Sequence, residues 1–210
     1  MPVPATPIRL LAVDDHALLR EGIAALVQQQ DDMVLAGEAA DGVDALVQFR
    51  RLKPDVTLLD LQMPKMDGID TLIAIRQEFP DARIIVLTTY RGDAQATRAL
   101  KAGAMGYLLK SGLRRELLDT VRAVHAGQRR VPPEIASGIA EHIGDEALSP
   151  REIDVLRRVA AGASNKIIAR ELGITEETVK AHMKNILGKL SAQDRTHAVT
   201  IALRRGIIEL

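Results

Sequence analysis

The chain has 210 residues, 47% apolar and only 2% aromatic, with 28 Lys and Arg balanced by 28 Asp and Glu. It has no cysteine, which excludes disulfides, thiolate metal sites and cysteine nucleophiles. No run approaches the roughly 20 apolar residues of a membrane span, and the apolar stretch at 10–13 is cut off by Asp14 and Asp15, too soon for a signal peptide, so a soluble cytoplasmic protein is expected.

The balanced charge is divided unevenly. Residues 1–146 hold 17 basic and 21 acidic side chains, whereas residues 147–210 hold 11 and 7. An acidic front and a basic back predict two domains with different partners, nucleic acid being the natural one for the basic half.

In chain order, apolar strand candidates occupy 8–13, 33–38, 55–60, 83–88 and 104–109. Segments with helical period lie between and after them, marked by Leu18, Leu19, Ile23, Leu26 and Val27, and later by Leu117, Leu118, Val121 and Val124. Alternating strand and helix predicts an open, doubly wound α/β domain whose five-stranded parallel sheet has helices on both faces. That domain spans 1–125. Residues 126–146 read as a linker: Val131-Pro132-Pro133 breaks any helix, and Ile135, Ile139 and Ile143, four apart, predict a short new one. Residues 147–210 form a smaller all-α domain. Ser149-Pro-Arg-Glu152 is a capping box, Ser164 caps a second helix that ends at Gly173, Thr175 caps a third, and a fourth runs from about Asp194 to Arg205. Helix, short glycine turn, helix is the helix-turn-helix layout.

Strand ends carry the chemistry. The first strand delivers Asp14 and Asp15 to the carboxyl edge of the sheet, and the third delivers Asp60. Like charges gathered there need a cation, and an all-oxygen shell suits Mg²⁺. Asp15 and Asp60 would bind it directly with the backbone carbonyl of Gln62, and Asp14 would hold a metal-bound water. Asp60 is then the nucleophile for a phosphoryl group. Lys110 follows the fifth strand and would pair with phosphoryl oxygens, and the Thr88 hydroxyl would donate to them. His16 is given no metal role, and His125 and His142 have no partner spacing and read as surface residues. Taken singly, each residue has an ordinary structural role: a solvated strand end, a turn former, a surface lysine. The ordered set on one edge is what points to function.

The set Asp14-Asp15, Asp60, Met63-Pro64, Asp67-Gly68, Thr88 and Gly103-Ala-Met-Gly-Tyr-Leu-Leu-Lys110 resembles the receiver domain of response regulators. The resemblance implies a flavodoxin-like fold, phosphorylation of Asp60 by a sensor histidine kinase, and a conformational switch through Thr88 and Tyr107. Ser111 departs from the proline that many receivers have after the lysine.

In the back half, Thr175–Leu190 is the recognition-helix candidate. Lys180 and Lys184 lie one turn apart, with Thr178 and Ala181 close to their face, while Ser164, Asn165 and Lys166 open the preceding helix and suit phosphate contacts. Lys189 and Arg195 are candidates for further backbone contacts. The motifs Leu148-Ser-Pro-Arg-Glu152, Gly162-Ala-Ser-Asn-Lys166 and Thr178-Val-Lys-Ala-His182 resemble the LuxR-type helix-turn-helix, from which Ile167 departs in being apolar. Both resemblances together imply a two-component response regulator of the NarL/FixJ type. Its partners would be double-stranded DNA, a histidine kinase and a second copy of itself through residues 194–205, with RNA polymerase as a further candidate. It would not be an enzyme beyond its own aspartyl phosphorylation and dephosphorylation. Three rivals stand beside this reading: a Mg²⁺-dependent phosphatase, disfavoured because Gln62 replaces the second acid such enzymes use; a module never phosphorylated; and a helical domain that binds protein.

Overall fold

Residues Ile8–Val13 form β1, and four of its last residues are buried, as a strand covered on both faces requires. The computed structural model describes residues 6–89, 92–142 and 144–208. β2 (Met33–Ala39), β3 (Val56–Asp60), β4 (Ile84–Thr88) and β5 (Gly106–Leu109) complete one parallel sheet of order β2-β1-β3-β4-β5. Every residue of β3, β4 and β5 is buried. β5 is shorter than the 104–109 run: Met105 N–H still donates to Ile84 O at 2.9 Å, so the chain is led into register before the strand begins.

The helices between the strands are α1 (Ala17–Gln28), α2 (Gly42–Leu52), α3 (Gly68–Glu78), α4 (Asp93–Lys101) and, after a 3-10 turn at Lys110–Gly112, α5 (Leu113–His125). Because strand side chains alternate between faces, each face has its own core. Leu10, Ala12, Val56, Leu58, Ile85 and Leu87 pack with Ile23 and Val27 of α1 and with Leu117, Val121 and Val124 of α5. α2 and α3 pack together beside the sheet, and Phe49 meets Phe79 with ring centroids 4.9 Å apart. Local sequence sets the helix starts: Asp41 accepts from Asp44 N–H at 2.9 Å and Asp67 from Asp70 N–H at 2.8 Å.

The chain divides into two units. One holds residues through Thr89 together with Thr97–Pro133, the other holds Asp93–Ala96 and Glu134 onward. The short helix expected in the linker is α6 (Pro133–Glu141), in which Ile135 is buried; Ile143 lies outside the described residues. Beyond it come α7 (Pro150–Ala160), α8 (Asn165–Leu172), α9 (Glu176–Lys189) and α10 (Arg195–Arg204). Val155, Leu156, Ile168, Val179, Ile186, Ala198 and Ala202 form their aliphatic core. The reciprocal cap is present: Glu152 N–H donates to Ser149 Oγ at 3.3 Å and Ser149 N–H donates to Glu152 Oε2 at 2.7 Å. Ser164, Thr175 and Asp194 cap α8, α9 and α10. No described helix is long and apolar enough to cross a membrane.

Candidate functional site

Strand register explains how residues far apart in sequence reach one place. Val13 pairs with Leu59 and Asp60 with Leu87, so Asp14 and Asp60 leave adjacent strands at the same level. Thr88 pairs with Leu109, one residue before Lys110. Asp14 and Asp60 are buried, and the Lys110 ammonium lies 2.8 Å from Asp14 Oδ2 and 2.9 Å from Asp60 Oδ2. Asp15 is one-third exposed at the rim, and carboxylate oxygens of Asp14, Asp15 and Asp60, with a ring nitrogen of His16, all lie within 4.8 Å of one another.

Burial pushes the Asp60 carboxyl above its ordinary range; Lys110 pulls it back, the Asp14 charge adds to the rise, and a hydrogen bond from the Gln62 N–H opposes it. Burial would lower the Lys110 ammonium, but its bonds to Asp14 and Asp60 outweigh that, and its pKa is raised. The site therefore holds a firmly charged lysine beside a buried carboxyl whose ionisation is disfavoured. Three carboxylates face one ammonium, so the donor set fits a further hard cation.

Gly68 is part of this geometry. A Cβ there would come within 2.1 Å of the Asp60 carbonyl oxygen, while Gly68 N–H donates to Leu61 O at 3.0 Å. Only glycine lets the start of α3 approach the end of β3 so closely. Thr88 and Tyr107 are both buried. Burial pushes the Tyr107 phenol up to about 12, with the nearby Thr88 side chain opposing the shift, so the phenol stays neutral.

Two residues take part here that sequence reasoning set aside or missed. His16 Nδ1 lies 2.7 Å from Asp15 Oδ1 and 3.2 Å from Asp14 Oδ1, and its backbone N–H donates to Asp14 Oδ1 at 2.9 Å. Arg20, one turn further, donates from Nη1 to the Asp14 carbonyl at 2.7 Å and from Nε to Glu38 at 2.9 Å, tying the carboxyl end of β1 to α1 and β2. The helical spacing from His16 was the signal available for Arg20.

In the helical unit, Glu177, Lys180, Ala181, Lys184, Asn185 and Gly188 are exposed along one stripe of α9, while Val179, Ile186 and Leu190 are buried opposite. Lys180, Ala181 and Lys184 thus share an open face, to which Glu177 and Asn185 are additions. Thr178 is half-buried, its hydroxyl 2.9 Å from the capping Thr175 hydroxyl. Ser164 and Lys166 are exposed and Asn165 is half-buried at the start of α8, where the first N–H groups lie outside the helical ladder. Lys189 corrects an expectation: its ammonium is spent on Glu146 at 2.9 Å and the buried Glu152 at 3.0 Å, which fastens the end of α9 to the start of α7. His142 lies at the surface with its Nδ1 2.8 Å from Asp145 Oδ2. Ile167 is 39% exposed, so its apolar side chain adds surface rather than core.

Comparison with known proteins agrees with both halves. The family described as response regulator receiver domain matches residues 10–122, and the bacterial regulatory proteins of the luxR family match residues 146–202. The transcriptional regulatory protein LiaR of Bacillus subtilis (strain 168) is 39% identical over 209 residues, covering 96% of this chain and 99% of LiaR. The response regulator protein VraR of Staphylococcus aureus (strain COL) is 37% identical over 207 residues, covering 96% and 99%. Among solved structures, the response regulator ChrA of a heme-sensing two-component system matches with TM-score 0.57 at 36% identity, over 96% of this chain and 99% of ChrA. RcsB from Salmonella enterica serovar Typhimurium, bound to a promoter in the presence of a phosphomimetic, matches with TM-score 0.72 at 27% identity, over 93% and 98%. With an α/β unit whose strand ends gather three aspartates and a lysine, and a helix-turn-helix unit behind it, the chain belongs to the NarL/FixJ family of response regulators, transcription regulators that join a receiver domain to a LuxR-type DNA-binding domain.

Proposed function

We propose that Asp60 is the phosphoacceptor and that its phosphorylation by a sensor histidine kinase controls DNA binding through the α8–α9 face. The observation that carries this is the Lys110 ammonium held between two buried carboxylates at the carboxyl edge of the sheet. An Asp60 oxygen attacks phosphorus, the bond from phosphorus to the donor's imidazole nitrogen breaks, and that nitrogen keeps the electron pair. Lys110 and the Thr88 hydroxyl face the phosphoryl oxygens, and Thr88 turns towards the phosphoryl group. Asp14, Asp15, Asp60 and the Gln62 carbonyl are the residues that would hold Mg²⁺. When bound, the ion supplies positive charge against the carboxylates and phosphoryl oxygens. The phosphatase rival gains no support, because Gln62 offers no second carboxyl to activate water.

The parent chain, incubated with Mg²⁺ and a small-molecule phosphodonor, should gain one labile phosphoryl adduct by intact mass; a chain that stays unmodified while folded would overturn the proposal. Mg²⁺ should also raise the melting temperature of the receiver in a concentration-dependent way. Asp15→Asn should lose that rise without losing the fold, since Asp15 sits at the rim. An equal rise in the variant would remove Asp15 from the metal site.

We place DNA on the exposed stripe of α9, with Lys180 and Lys184 as phosphate or base-edge contacts and with α10 as the surface that pairs two copies on a two-fold site. RNA polymerase is the candidate next partner. Lys180→Ala and Lys184→Ala should each weaken binding to duplex and reduce the slope of log affinity against log salt by about 1. An unchanged slope would assign the stripe to a protein partner instead.

A further inference from the structure

After α5 the chain turns back onto the receiver sheet. Gly127 adopts φ of +84°, and Gly127 and Gln128 N–H groups donate to Val124 and Ala123 carbonyls at 3.0 and 2.9 Å, closing the helix and reversing direction. The following residues run beside β5. Arg130 N–H donates to Met105 O and Tyr107 N–H donates to Arg130 O, each at 2.9 Å, and Gly106 and Arg130 form a parallel bridge. The outer edge of β5 would otherwise present open backbone groups. The linker's own backbone covers it, and one of the two bonds is made by the amide of Tyr107.

The hold is slight by construction. Pro132 and Pro133 carry no N–H, so the ladder cannot extend beyond Val131. Gln128, Arg129 and Arg130 are exposed, and Val131 and Pro132 are only half-buried. A cavity of about 210 Å³ lies alongside, lined by Tyr107, Thr120, Arg130, Val131 and Pro132 among others. A segment with few buried apolar contacts opens before the sheet it rests on.

We propose that residues 128–131 are a release strap, seated on β5 while Asp60 is free and detached when Asp60 is phosphorylated. The inference rests on the phosphoacceptor reading above. Thr88 ends β4 as the register neighbour of Leu109, two residues beyond Tyr107 on β5. A phosphoryl group that draws the Thr88 hydroxyl towards itself moves the end of β4, and with it the paired end of β5. The Tyr107 amide then shifts, and the strap is the partner held by the fewest bonds. Residues 128–131 lead through Pro132 into α6, so their release frees up to roughly 13 Å of tether ahead of the DNA-binding domain. That length gives two DNA-binding domains the freedom to meet a two-fold site.

Hydrogen exchange of the full chain, read by mass spectrometry with and without phosphodonor, tests this, with intact mass taken on the same samples. With the adduct present, amides of 104–109 and 127–131 should exchange about ten-fold faster, the effect of losing one or two net hydrogen bonds, while β1 and β3 stay slow. Unchanged or slower exchange in fully phosphorylated chain overturns the strap and leaves the phosphoacceptor reading standing. Absence of the adduct brings down that reading and the strap with it. Arg130→Pro removes the N–H that reaches Met105 and should exchange fast at Tyr107 before any phosphodonor is added. Arg130→Ala keeps that N–H and should match the parent. Fast exchange in Arg130→Ala as well would show that the guanidinium, not the backbone ladder, holds the segment, and would overturn the proposal.

Discussion

Asp60→Asn should leave the chain with no phosphodonor-dependent mass adduct and no phosphodonor-dependent gain in DNA affinity. Asparagine fills the same space and can still accept from Lys110 and the Gln62 N–H, but its amide oxygen is no nucleophile. The loss is therefore complete rather than partial. Stability should move the other way. Burial raises the Asp60 pKa, so the ionised carboxylate is disfavoured in the fold relative to the unfolded chain. Its contribution to stability falls as pH rises through the ordinary carboxylate value of 3.8 towards the raised one, and at neutral pH it opposes folding. Without Mg²⁺, Asp60→Asn should thus melt higher than the parent at pH 7. An adduct that survives the substitution would move the acceptor to Asp14 or Asp15.

Lys110→Met should cost the receiver about 3 kcal/mol at neutral pH without Mg²⁺, because it strands two buried carboxylates. That is the low end for breaking a buried pair, chosen because the lysine side chain keeps 13% exposure and admits some water. The sign of the pH dependence follows from the shifts. In the parent, the raised Lys110 pKa contributes stability that is fully present below 10.5 and lost as pH rises through the folded value. In the variant, the penalty comes from ionised Asp60 and Asp14, so it should fade on acidification as Asp60 takes up its proton. Urea titrations followed by tyrosine fluorescence at several pH values would measure both. An unchanged midpoint at pH 7 would mean that the ammonium is not what holds these carboxylates. Restoration of the midpoint by Mg²⁺ is the expected corollary, a cation replacing a cation.

The DNA-binding half shows why some residues were legible and others were not. Ser149 with Glu152, Thr175 and Asp194 act on backbone groups within one helical turn, so their spacing in sequence is their geometry. Lys180 and Lys184 share a face for the same reason. Lys189 does not follow: a basic residue at the end of a recognition helix reads as a phosphate contact, yet it is committed to Glu152, 37 positions away. Glu177 and Asn185 lie on the exposed stripe because the core takes Val179 and Ile186, and only packing decides which flanking positions remain open.

Local pattern alone determined the alternation of strands and helices, the caps, and the delivery of Asp14, Asp15, Asp60, Thr88 and Lys110 to strand ends, because period and capping are short-range properties of a chain. The tertiary structure decided the strand order β2-β1-β3-β4-β5, which sets Asp14 level with Asp60 and brings Lys110 between them. It also decided the turn of the His16 ring onto Asp14 and Asp15, the grip of Arg20 on the Asp14 carbonyl, and the return of residues 128–131 to the edge of β5. Each of these is a contact between elements. It depends on which edges and faces the sheet leaves open once it has closed its core, and that is a property of the whole packed domain rather than of any window of sequence.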